Sequence, residues 1–224
     1  MLYDERAVRD NIRNREGKRV FYLGKGHQLT SQARDYLQRE RIEILPAHMA
    51  KPERYRLLSG GYIEEKPEHM THLFGDVLVE KTHPRIIFRG AIDCLEAELL
   101  LGCAELPQWE KELKELLCLA RGIIRADVLE QPLEETPLCG LTAQQLREQS
   151  HRPQDFLGHP HFMPEASDGL AVLRLNKLRT LARQAEIKAV AAMPHREDIL
   201  RAMNRMSSFV YILMIRQKTK VTAD

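Results

Sequence analysis

Two sets of polar side chains are spaced for binding chemistry. Arg179, Arg183 and Glu186 stand at i, i+4 and i+7, so on a helix they form one charged ridge. Asn204, Arg205 and Ser208 form a second ridge on the segment that follows. Guanidinium groups are planar forks that match phosphate and carboxylate oxygens in pairs, so two such ridges on adjacent helices describe a site for an anion. The same spacing also fits solvated ion pairs along an exposed helix face. Asp93 sits in sequence among Ala91, Ile92 and Leu95. An unpaired carboxylate in apolar surroundings is costly, so this position calls for a basic partner.

Other candidates are weaker. His151, His159 and His161 cluster in one irregular stretch. They carry metal-ligand chemistry, but no paired Cys or helix-borne carboxylate accompanies them. The alternative use is a polar loop packed by Phe156 and Phe162. There is no Glu-x-x-His, the helical signature of di-metal carboxylate sites. Gly24-Lys-Gly26 lacks the spacing of a phosphate loop and does not lead directly into a helix, so it reads as a turn.

The elements that must carry these residues are mostly helical. From Ser167 to Ala192 there is one Gly and no Pro, and Leu170, Leu173, Leu178, Leu181, Ala182, Ala185 and Ala189 recur at helical spacing, with Ser167 as the expected N-cap. Further helices are expected from Pro84 to about Cys103, over Trp109–Leu129, over Thr142–Ser150 and over Arg196–Lys218. Four long helices joined by loops predict a bundle, so the fold class is mainly α. Ahead of it, Arg19–Leu23, Thr30–Glu40 and Ile42–Leu45 read as strand, helix and strand, and Met1–Arg15 as a charged helix ended by Gly17. Residues 46–68, rich in Pro and Gly, read as a connector. The expected domains are residues 1–62, a small α/β unit with its connector, and residues 63–224, the helical bundle.

Composition narrows the function classes. The chain has 224 residues, 43% of them hydrophobic, enough for a real core. With 34 basic and 32 acidic residues the net charge is +2, which gives no electrostatic case for nucleic acid. The four cysteines lack CxxC spacing and read as buried free thiols of a reducing compartment. No signal peptide and no apolar run near ~18 residues is present, so a cytoplasmic protein with no membrane association is expected.

Several stretches together resemble the ATP:corrinoid adenosyltransferases of the ethanolamine-utilisation type. They are Thr71-His-Leu-Phe-Gly-Asp76 with Lys81, His83-Pro-Arg-Ile-Ile-Phe-Arg-Gly-Ala-Ile-Asp-Cys-Leu-Glu-Ala97, Ile124-Arg-Ala-Asp127 with Pro132-Leu133, and Met163-Pro-Glu-Ala-Ser-Asp-Gly169. Leu29-Thr-Ser-Gln-Ala-Arg34 with Arg41-Ile-Glu-Ile44 resembles the same subtype's N-terminal unit. A more distant resemblance, to the propanediol type, rests on Gly90-Ala-Ile-Asp93, on Leu178-Arg-Thr-Leu-Ala-Arg183-Gln-Ala-Glu186, and on Met203-Asn-Arg-Met-Ser-Ser208.

The resemblance implies transfer of the 5′-deoxyadenosyl group of ATP to Co(I) of cobalamin, with triphosphate as leaving group and Mg²⁺ accompanying ATP. It implies a homo-oligomer, a trimer with ATP between subunits, a dimer being the alternative. Asp93 would pair with Arg179 across that interface, Arg183 and Asn204 would contact ATP, and Glu186 would orient the arginines. Arg205 and Ser208 belong to the last motif, where Ser208 replaces the related family's Asp. Thr71, His72, Gly75, Asp76 and Lys81 occupy a shortened and altered triphosphate loop. Phe162 is the candidate for the aromatic side chain that displaces the lower cobalt ligand, with core packing as its alternative. Some ethanolamine-type members carry a His followed by Cys-Cys-x-x-Cys; residues 46–70 contain no cysteine, so no Zn or Fe site of that kind is expected. Ethanolamine ammonia-lyase or a bacterial microcompartment shell would be the protein partners. The competing readings are a non-catalytic corrinoid-binding or compartment-associated protein, and a purely structural bundle.

Overall fold

The computed structural model describes residues 2–15, 17–49 and 54–221. The chain divides into two compact units, residues 1–56 with 60–65 and residues 57–59 with 66–224.

In the first unit β1 (Leu2–Tyr3), α1 (Glu5–Asp10), β2 (Ile12–Arg15), β3 (Lys18–Leu23), β4 (Gln28–Leu29), α2 (Ser31–Arg39) and β5 (Glu43–Pro46) follow in order. The expected helix over Met1–Arg15 is corrected. Met1 lies outside the described residues, and the helix stops at Asp10 because Ile12–Arg15 pairs antiparallel, residue by residue, with Lys18–Phe21 around Gly17 (φ 80°). Strand β3 also runs parallel to β5, and α2, capped by the Thr30 hydroxyl, packs Ala33, Tyr36 and Leu37 against Phe21 and Val8. Gly24–His27 is a turn, closed by the His27 N–H on the Gly24 carbonyl at 3.0 Å. The connector is more ordered than expected. Residues 50–53 lie outside the described residues, but β6 (Tyr55–Leu57) and β7 (Tyr62–Ile63) pair antiparallel across Gly60-Gly61, both at positive φ.

The second unit opens with a hairpin, β8 (Met70–Phe74) and β9 (Val77–Glu80), where a loop and extended segment were expected. Then come α3 (Pro84–Glu105), α4 (Glu110–Val128), α5 (Ala143–His151), α6 (Pro153–Leu157), α7 (Gly169–Ala192) and α8 (Glu197–Val221). Four of these are long and pack in the order α4-α3-α7-α8, with α5 and α6 laid on α8. Their inward stripes form one core, including Phe88, Leu95, Leu99, Leu113, Leu116, Ile123, Leu175, Leu178, Met206 and Phe209. The approach of α3 to its neighbours is tight at Gly102, where an added Cβ would lie 3.2 Å from Leu113 Cδ1 and 3.3 Å from Leu178 Cδ1.

Three expectations shift here. Ser167 is not the N-cap of α7; it lies in a 3₁₀ turn, Ala166–Asp168, stabilised when the Asp168 carboxylate accepts the Glu165 N–H at 2.9 Å. The inward stripe of α7 runs through Val172, Leu175, Leu178, Ala182, Ala185 and Ala189, while Leu170 is 86% exposed. Cys94 and Cys118 are exposed on the outward faces of α3 and α4, and Cys103 and Cys139 are half-buried. Among the described residues no helix is long and apolar enough to cross a membrane.

Candidate functional site

The second unit brings the two ridges together. Helices α7 and α8 pack along their length, so Glu186 on α7 faces Asn204 on α8. Its carboxylate accepts the Asn204 amide at 3.0 Å on one oxygen and the Arg183 guanidinium at 3.3 Å on the other. Glu186 is half-buried while Arg183 and Asn204 are exposed, so the carboxylate acts as a fixed acceptor that aims two donors outward. One turn back on α7, Arg179 donates to Asn176 Oδ1 at 3.0 and 3.2 Å. Arg205 reaches instead to Glu135 at 2.9 Å.

These residues line two neighbouring clefts. The larger, about 810 Å³, lies between α5 and α8 and includes Arg147, His151, Arg201, Asn204, Arg205 and Ser208. The smaller, about 270 Å³, is bounded by Arg179 and Arg183 on one side and by His151, His161 and Tyr211 on the other, with Ser207 and Ser208 below. Ser150, His151 and Ser208 belong to both, so the two spaces adjoin. Such a surface, with several guanidinium groups and few carboxylates, is chemically suited to a polyanion.

Asp93 is not buried. It lies on the exposed face of α3 and has no hydrogen bond or ion pair among the described residues. Ala91, Ile92 and Leu95 do point inward, but residues one and two positions away on a helix face different directions, so apolar sequence neighbours do not bury it. The carboxylate that does meet the burial argument is Asp127, fully buried on α4. Arg85 Nε donates to Asp127 Oδ1 at 2.8 Å and Arg89 Nε to Oδ2 at 2.6 Å. Arg85 also donates to the Asp127 carbonyl at 2.7 Å and to Glu130 at 3.0 Å. The signal was present: Leu113, Leu116, Ala120 and Ile123 define the inward stripe of α4, and Asp127 is its next position.

Arg89 extends this network to the hairpin, donating to the Leu73 carbonyl at 2.7 Å and to the His72 carbonyl at 3.4 Å. Thr71 pairs with Val79, and Gly75 (φ 51°) and Asp76 form the turn between Phe74 and Val77. Lys81 follows β9, its N–H on the His69 carbonyl at 2.9 Å. Neither cleft is lined by Thr71, His72, Gly75, Asp76, Lys81 or Asp93, so within one chain these residues stand apart from the α7–α8 ridges.

The three histidines do not converge on a common point. His159 Nδ1 meets the adjacent Pro160 carbonyl, while His161 bonds Tyr211 and the His151 carbonyl. Among the described residues no group of three His, Cys, Asp or Glu side chains could hold a metal ion. Phe162 is half-buried, packed against the core and stacked on Tyr211 at 6.3 Å between ring centres.

Comparison with known proteins gives this architecture a family. A profile of the cobalamin adenosyltransferases matches residues 61–217. The corrinoid adenosyltransferase EutT of Salmonella typhimurium is 37% identical over 165 residues, covering 70% of this chain and 62% of that protein. EutT of Escherichia coli strain K12 matches equally, so this chain spans about 62% of the length of the curated relatives it matches. A variant PduO-type ATP:corrinoid adenosyltransferase from Lactobacillus reuteri, solved in complex with cobalamin and ATP, shares the fold. Its TM-score is 0.51 at 16% identity, over 76% of this chain and 91% of that one. On the match over residues 61–217, the chain belongs to the cobalamin adenosyltransferase family.

Proposed function

We propose that this protein transfers the 5′-deoxyadenosyl group of ATP to the Co(I) of cobalamin, giving adenosylcobalamin and triphosphate. The observation that carries this is the Arg183–Glu186–Asn204 array, a carboxylate on α7 aiming one guanidinium and one amide into an open cleft. Cobalt attacks the ribose 5′ carbon, the bond from that carbon to the triphosphate oxygen breaks, and triphosphate leaves with the electron pair. Arg183, with Arg179 beside it, neutralises the charge that grows on the leaving oxygens, while Asn204 and Ser208 orient the nucleotide. Mg²⁺ would arrive on the phosphates of ATP.

The catalytic part of the chain is residues 63–224, with residues 1–62 an accessory unit. Arg183 is exposed with Arg179 half-buried beside it, and Asp93 is an exposed carboxylate on α3, which supports a site completed by a second copy in a homotrimer. There Asp93 would pair with Arg179, and the hairpin residues Thr71, His72, Gly75, Asp76 and Lys81 would approach the triphosphate. Phe162 would face the cobalt. The product would supply ethanolamine ammonia-lyase, in the cytoplasm or within a bacterial microcompartment.

The test is an anaerobic assay with chemically reduced cobalamin, ATP and Mg²⁺, following loss of Co(I) absorbance and identifying the phosphate product. Adenosylcobalamin with intact triphosphate is expected. Tight corrinoid binding with no ATP-dependent product would instead identify a corrinoid-binding partner protein.

A further inference from the structure

The wall of the smaller cleft opposite Arg179 and Arg183 is built by a chain of hydrogen bonds that neither the ridges nor the hairpin involve. The His151 carbonyl can only accept, so His161 Nε2, 3.2 Å away, carries the proton. His161 Nδ1 is then an acceptor, and it meets the Tyr211 hydroxyl at 3.0 Å. The Tyr211 oxygen in turn accepts the Phe162 N–H at 3.3 Å. Every link has one donor and one acceptor, so the chain closes without an orphan. The rings follow the same path: His161 and Tyr211 lie 5.7 Å apart with planes 12° from parallel, Phe162 stacks on Tyr211, and His159 meets Phe162 edge-on at 5.4 Å.

A second anchor lies seven residues further along α8, on the same face. Lys218 pairs with Asp168 and sits 5.5 Å over the Phe162 ring. That ammonium holds the Asp168 carboxyl below the usual carboxylate range, with the Glu165 N–H helping. The segment from His159 to Asp168 is thus pinned to α8 at two levels, with Phe162 between the pins.

We propose that Tyr211 and His161 are positioning residues that set the Phe162 segment at a fixed height against the arginine wall, and so fix where a flat corrinoid ring can lie relative to bound ATP. This rests on the corrinoid reading above. Neither side chain touches a reacting atom; both act through Phe162.

The variant Tyr211→Phe keeps the ring stack and removes only the hydroxyl. Amide hydrogen exchange of residues 158–168 should accelerate at least ten-fold at Phe162, a readout independent of turnover. In steady-state assays kcat/KM for cob(I)alamin should fall at least ten-fold while KM for ATP stays within two-fold. Unchanged exchange, or faster exchange with unaltered corrinoid parameters, would overturn the proposal, as would an equal rise in KM for ATP. A wild-type chain that binds no corrinoid defeats the functional reading and this inference with it, whatever the exchange rates.

Discussion

Replacing Asp127 by Asn should be among the most damaging single changes in the helical unit. The carboxylate is fully buried, and its two oxygens each take a guanidinium Nε, at 2.8 and 2.6 Å. Both arginines are only 14% exposed, so they cannot simply turn to water. Asn keeps one oxygen for one arginine, offers an N–H₂ donor to the other, and removes the only charge that balances Arg89 among the described residues; Glu130 balances Arg85 but is 51% exposed. Breaking a buried ion pair by removing one partner costs about 3–5 kcal/mol. The retained oxygen argues for the lower end, about 3 kcal/mol, which lowers Tm by roughly 6–12 °C for a unit of this size. Thermal unfolding followed by far-ultraviolet circular dichroism measures it. The triple change Arg85→Met, Arg89→Met, Asp127→Leu should recover part of the loss, because an apolar trio of similar volume needs no charge balance but leaves the Leu73 and Asp127 carbonyls without their donors. A loss below about 1 kcal/mol for Asp127→Asn would refute the reasoning and mean that water reaches the pair.

Three further outcomes are expected. Arg183→Ala should leave the fold intact, since its side chain is exposed, and lower kcat of the proposed transfer by on the order of 10²–10³; an active variant would remove the ridge from the mechanism. Asp198 accepts the Arg196 guanidinium at 2.8 and 3.0 Å and the Leu133 N–H at 2.8 Å, which hold its carboxyl far below the usual range. A depressed folded pKa gives stability that is complete above the unfolded value and fades as pH falls below it, so wild type should lose stability below about pH 4 and Asp198→Asn should lack that part of the slope. Burial and the Glu115 carboxylate push the Cys139 thiol up to about 12, so alkylation at pH 8 should modify exposed Cys118 quickly and Cys139 only on unfolding.

The bundle was legible because its apolar stripes are long and regular. The helices expected from Pro84, around Trp109 and after Thr142 begin within a residue or so of the observed ones. Short-range competition defeated the finer reading. Ile12–Arg15 carries charges that suit a helix, yet pairing with β3 decides its state. Ser167 has the right chemistry for a cap, but Asp168 takes the role of local acceptor one residue later and moves the helix start. Of the site, the Arg183–Glu186–Asn204 geometry follows from helical spacing once α7 and α8 are adjacent. The Asp127 network does not follow from spacing alone, because it joins residues 38 and 42 positions apart across two antiparallel helices and a hairpin. Asp93 misled for the opposite reason: its sequence neighbours are buried and it is not.

The hairpin's attachment bears on which parts of the helical unit can move. Arg89 holds the Leu73 carbonyl on one side and the Asp127 carboxylate on the other, while Leu73, Val77 and Val79 are buried beneath. Lifting the hairpin would strip the Arg89 guanidinium of its Leu73 acceptor and wet an apolar patch at once, so Thr71–Lys81 is an abutment and not a flap.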